Sequence, residues 1–158
     1  MKKIIPIFLL FILSFCFKAH GQVVWTAGPM LHYSFGGEKR HFSFAFEVAY
    51  WNFKNVPYSF DGGIEFSKKR TRLYCEAQTG IGFTGVSAGP VIEYNKEERK
   101  LRAGYQMTFW MNYFLGFDYR YRRIDKTHFN CIGTYGKLPV ATKDMKSSNG
   151  SNYHSWDD

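Results

Sequence analysis

Residues 41–51 read HFSFAFEVAYW, and their alternation decides the fold. Phe42, Phe44, Phe46, Val48 and Tyr50 take every second place, with Ser43, Ala45, Glu47, Ala49 and Trp51 between them. Successive side chains of a strand point to opposite faces, whereas a helix would scatter the five bulky residues around its circumference. The stretch is therefore a strand with one broad apolar face and one face of small and charged side chains.

The same period of two runs along most of the chain. From Trp25, the odd positions are Trp25, Ala27, Pro29, Leu31, Tyr33 and Phe35, and the even ones are Thr26, Gly28, Met30, His32 and Ser34. Strands are predicted near 25–35, 41–51, 58–67, 72–83, 86–94, 100–113, 115–122 and 128–138. Charged joins at Gly36 to Arg40, Lys68 to Arg70, Asn95 to Arg99 and Arg123 to Lys126 alternate with tight or nearly neutral ones. Aromatic residues make up 20% of the chain, glycine is abundant and mean hydropathy is negative, a balance that favours strands over helices. The expected fold is all-β, an antiparallel up-and-down barrel of about eight strands.

The charges support the register. Asp61 and Glu65 are four apart, as are Arg72 and Glu76, and Asp118, Arg120 and Arg122 step by two, all opposite the aromatic face. With Glu47, Glu93 and Arg102 they form a predicted interior set of ten: Glu47, Asp61, Glu65, Glu76, Glu93, Asp118, Arg72, Arg102, Arg120 and Arg122. Charges inside a barrel must find partners, so the set reads as an ion-pair network that fills the bore. A proton or ion path, or a small ligand pocket, is the alternative.

Which face looks inward separates a soluble barrel of lipocalin type from a membrane barrel with its apolar face toward lipid. An eight-stranded barrel has just enough interior for ordinary side chains, and about twenty rings on the apolar face exceed it. The other face is rich in Gly28, Ser34, Ala45, Ser59, Gly63, Ser87 and Thr108, which suit a narrow bore. Aromatic girdles are then expected, with Trp25, Tyr50, Tyr58, Phe83, Tyr113 and Tyr135 at one rim. Tyr33, Phe35, Phe42, Phe66, Tyr94, Tyr119, Tyr121 and Phe129 would mark the other.

Lys2 and Lys3, an apolar run from Ile4 to Phe17 and Ala19-His20-Gly21 read as a secretory signal peptide over 1–21, cut before Gln22. Loss of Lys2, Lys3 and Lys18 lowers the formal net charge from +8 to +5. Phe15 before Cys16 fits a lipoprotein box poorly. The barrel is expected over 22–140, followed by a polar, disordered tail over 141–158. Cys75 and Cys131 are both expected on the outward face, too far apart for a disulfide.

Signal peptide, alternation, girdles and short hairpins together resemble the small eight-stranded outer-membrane barrels of Gram-negative bacteria, in the style of OmpA and OmpX. The resemblance covers residues 23 to 138 and implies an outer-membrane location in the cell envelope. Such barrels usually end on an aromatic residue, and here Tyr135 or Phe129 would stand in for it.

No GxSxG, Walker loop, CxxC or HExxH occurs, and no serine is tied by spacing to His32, His41 or His128. His32 and His128 are both expected to face inward. The expected function is non-enzymatic and structural or envelope-associated, without cofactor or metal. A soluble periplasmic barrel binding a small or lipid ligand, or a lipid-modifying enzyme, are the alternatives. The basic turns Lys39, Arg40, Lys68, Lys69, Arg70, Arg99 and Arg123 would ring the outer rim and face the lipid bilayer and lipopolysaccharide phosphates. A monomer with no nucleic-acid partner is expected. Finally, AGPMLHYS at 27–34 recurs as AGPVIEYN at 88–95, which predicts a four-plus-four repeat with a bulge at each Gly-Pro near the periplasmic end.

Overall fold

A computed structural model describes residues 23–37, 40–53, 56–81 and 83–142, residues 141 and 142 by backbone alone. The predicted signal peptide, the residues after 142 and Lys39 lie outside the described residues. The strands are β1 (Val23–Phe35), β2 (His41–Asn52), β3 (Tyr58–Phe66), β4 (Arg70–Ile81), β5 (Thr84–Asn95), β6 (Lys100–Met111), β7 (Leu115–Ile124), β8 (Thr127–Gly136) and β9 (Leu138–Thr142). Each pairs antiparallel with the next from β1 to β8, and β1 also pairs with β8 and β9, which closes the sheet. β9 continues β8 along β1 past Lys137, so the molecule is an eight-stranded closed barrel whose last strand is written in two pieces.

Burial follows the alternation and inverts the usual order. Phe42, Phe44, Phe46 and Val48 are exposed, while Ser43, Ala45, Glu47 and Ala49 between them are buried. Arg122 is 0% exposed and Leu101 is 72% exposed, a reversal of what a water-soluble core would show. The β1–β2, β3–β4, β5–β6 and β7–β8 turns gather at one end, here the charged end; the remaining turns lie at the opposite, neutral end with the start of β1.

β8 departs from the sequence-based register. Phe129, Cys131 and Tyr135 are buried, and His128 is exposed, the reverse of the expected facing. The two-residue turn at Asp125-Lys126 sets Arg122 opposite Phe129 and Arg120 opposite Cys131. Directly opposed residues share a face, so the inward arginines carry Phe129 and Cys131 inward with them. Cys75 is exposed and Cys131 buried, both free, so their spacing does not mark equivalent places.

The expected bulges at the two Gly-Pro pairs are absent. Pro29 pairs in register with Phe46, and Pro90 with Tyr105, both near the middle of their strands. On the other side of each, the ladder skips but resumes unshifted, from Met30–Tyr135 to Ala27–Leu138 and from Tyr74–Val91 to Ala77–Ala88. A Cβ on Gly28 would lie 1.8 Å from the Gly136 carbonyl oxygen, and one on Gly89 would lie 1.8 Å from that of Cys75. Proline offers no N–H to the opposing carbonyl, which instead approaches the preceding glycine Cα as a weak C–H···O contact. The bulge of β1 falls two residues earlier, between Trp25 and Thr26.

Candidate functional site

The interior is a chain of charged contacts from the charged end to the neutral end. Near the charged end, Arg72 on β4 donates to Glu65 at 2.5 Å and to Glu93 at 2.8 Å, with its guanidinium over the Phe129 ring. Arg122 on β7 donates to the same Glu65 at 2.9 Å and to Gln106 at 2.7 Å. Two arginines thus hold one carboxylate, the multiply hydrogen-bonded arrangement that a buried ion pair requires. Arg70, half-buried at the rim, reaches Glu93 at 3.6 Å.

His32 on β1 stands at the middle, with Nδ1 3.4 Å from Glu65 and Nε2 3.1 Å from Asp118. Arg120 extends the chain by donating to Asp118 at 2.5 Å and to Glu47 at 3.1 Å. Its guanidinium lies over Tyr74, whose hydroxyl also donates to Glu47, at 2.8 Å. Toward the neutral end, Lys137 donates to Glu47 and lies 3.7 Å from Asp61, which accepts from Ser59 and Gln78. Glu76 accepts from Ser87 and Thr108.

Small residues make room for these groups. A Cβ on Gly133 would come within 2.2 Å of the His32 ring, and one on Gly63 within 2.4 Å of Tyr74. Gly80 and Gly85 accommodate Trp110 in the same way. At the neutral end Trp51, Trp110 and Tyr113 close the bore, with ring centroids 5.1 to 5.5 Å apart, and burial pushes the Tyr113 phenol above its ordinary value. Beneath them a cavity of about 10 Å³ lies among Trp51, Trp110, Asp118 and Arg120, about the room one water needs.

Of the ten residues expected inside, nine are buried there: Glu47, Asp61, Glu65, Arg72, Glu76, Glu93, Asp118, Arg120 and Arg122. Arg102 is the exception. Pairing of β6 with β7 begins only at Gly104, so Arg102 projects past the end of β7 and binds Glu98 at 2.6 Å and Asp125 at 3.7 Å at the mouth. Lys137, Tyr74, Gln78 and Gln106 join the interior without having been singled out from sequence. Tyr74 was legible, since it sits two residues from both Arg72 and Glu76. Lys137 was not, because it follows the expected girdle residue Tyr135 at what reads as the end of a strand.

The basic turns separate in space. Arg40, Lys68, Lys69 and Arg70 line, with His41 and Ser67, a cleft of about 220 Å³ between the first two charged-end hairpins. Lys69 is bound to Glu97 of the next hairpin at 2.5 Å. Arg99 holds a turn at φ 53°, and Arg123 stands on the outer face of β7 opposite His128 rather than in a turn. Among the described residues no group of three or more His, Cys, Asp or Glu is placed to hold a metal ion.

The closed, eight-stranded antiparallel barrel is the fold class expected from the sequence. No family model matches the chain, and no curated protein does. Among solved structures it is similar to Ail, the attachment invasion locus protein of Yersinia pestis, in complex with the heparin analogue sucrose octasulfate. That match has a TM-score of 0.33 and 12% identity, and covers 75% of this chain and 99% of the other. A second Ail structure gives a TM-score of 0.25 at 9% identity with the same coverage.

Proposed function

We propose that this chain is a small, non-enzymatic barrel that spans the outer membrane of a Gram-negative cell envelope, with a structural or envelope-associated role and no open solute path. The supporting observation is the inverted burial: charged side chains inside, and a continuous outward band of Phe, Tyr, Leu, Ile, Val and Met. In water such a band would far exceed the apolar patches soluble monomers tolerate. In lipid it is the favourable outer surface, and a closed barrel leaves no unpaired edge there. The strands, mostly 9 to 13 residues, suit a tilted crossing, which needs about 9–11.

The interior does not favour a lipocalin-like ligand chamber, since ion pairs occupy it from end to end. Orientation follows from charge. The neutral end, where β1 begins, would face the periplasm, and the charged end would meet the phosphates of lipopolysaccharide through Arg40, Lys68 and their neighbours. The barrel would be a monomer with the bilayer as its main partner and no nucleic acid.

Membrane fractionation of cells expressing the chain, followed by electrophoresis with and without boiling, tests this reading. The expected result is a detergent-extractable membrane protein whose unboiled form migrates differently from the boiled form. Recovery in the soluble fraction with no heat-dependent shift would overturn it.

A further inference from the structure

We propose that His32 is held as an imidazolium, a bound proton serving as the sixth cation of the barrel interior. Two independent observations lead there. The first is geometric: Nε2 is hydrogen-bonded to Asp118 on β7 at 3.1 Å, and Nδ1 lies 3.4 Å from Glu65 on β3, within ion-pair distance though not aligned as a hydrogen bond. A neutral imidazole has one N–H and one lone pair, so one of its nitrogens would direct a lone pair at a carboxylate oxygen. Only the doubly protonated ring presents an N–H, and a positive charge, to both carboxylates.

The second is the charge inventory of the described interior. Six carboxylates are buried, those of Glu47, Asp61, Glu65, Glu76, Glu93 and Asp118. Arg72, Arg120, Arg122 and Lys137 are the buried cations opposing them, and Arg70, at the rim against Glu93, is a fifth. His32 brings the cations to six. An unopposed charge in a closed, lipid-surrounded interior is expensive, and with all six carboxylates ionised the protonated ring brings the two sets level.

Position gives the proton a structural consequence. Arg72 and Arg122 bind Glu65 on one side of the ring, and Arg120 binds Asp118 on the other, so His32 joins the two halves of the network. Gly133 of β8 lies against the ring edge, where any Cβ would displace it. Among the described residues His32 is thus the bridge between these halves whose charge is carried by a group of ordinary value near neutral pH, held protonated here by its two carboxylates. This inference needs only the closed barrel and its interior; it rests on the membrane reading solely for the cost of an unopposed charge.

The test uses the full chain folded in detergent micelles, with His20, His41, His128 and His154 replaced by glutamine so that His32 is the only histidine. Nitrogen-15 spectra at about pH 8, well above the ordinary histidine value of about 6.5, should show both ring nitrogens protonated. A spectrum with one unprotonated nitrogen would overturn the proposal. Charge is separated from shape by two further variants. His32→Gln should lower the temperature at which the unboiled band converts, and adding Asp118→Asn, which removes one negative charge to match the lost cation beside Arg120, should recover most of the loss. A His32→Gln chain as stable as the parent, or a double variant no better than the single one, would equally overturn it.

Discussion

Arg122 and Arg102 lie on the same face by parity, yet their settings give them different weights. Arg122 is fully buried and holds Glu65 through two nitrogens, so Arg122→Ala leaves that carboxylate with one arginine fewer in an interior that water does not reach. Removing one partner of a buried pair costs about 3–5 kcal/mol, against at most about 1 kcal/mol for an exposed pair. Arg102→Ala at the mouth should therefore leave stability nearly unchanged. Denaturant titration of the folded barrel in micelles compares the two, and equal losses would contradict this ranking. The parity of the acids and bases was readable from sequence, because alternation is a local property of the strand. Where each stands along the barrel was not, since it depends on which neighbouring strand extends far enough to cover it.

The octamer written at 27–34 and again at 88–95 acquires a physical meaning in the strands. In both copies the glycine lies under a carbonyl of the neighbouring strand, Gly136 for one and Cys75 for the other, beside a proline that withholds the N–H that carbonyl would otherwise accept. Gly89→Ala would force a methyl group into that contact and push β4 from β5. Gly62→Ala on β3 meets nothing within 4 Å and removes a glycine from a strand interior, a change worth up to about 1 kcal/mol in favour of folding. Thermal conversion of the unboiled band should fall for the first variant and hold or rise for the second. The two copies were visible as a repeat; the ladder gap was not, because it needs the strand on the far side. The same holds for β8, whose odd positions read as an outward apolar face until the turn at Asp125-Lys126 ties Phe129 to Arg122.

Taken whole, the molecule is closed at the neutral end by Trp51, Trp110 and Tyr113 and filled by paired charges from there to Arg70, with a cavity of about 10 Å³ between. In a planar lipid bilayer the reconstituted chain should show none of the stepwise conductance of an open channel, and steady ohmic steps would show the interior to be less filled than its ion pairs imply. Alternation, aromatic excess and glycine content were enough to derive an all-β barrel with its polar face inward, because side-chain period and total ring volume need no knowledge of contacts. Which charges meet, that Lys137 and Tyr74 belong with them, that β8 turns its aromatic residues inward and that His32 bridges two carboxylates came from the closed sheet alone. Those facts depend on register between strands up to a hundred residues apart, which is set by turn lengths and by barrel closure rather than by any local pattern.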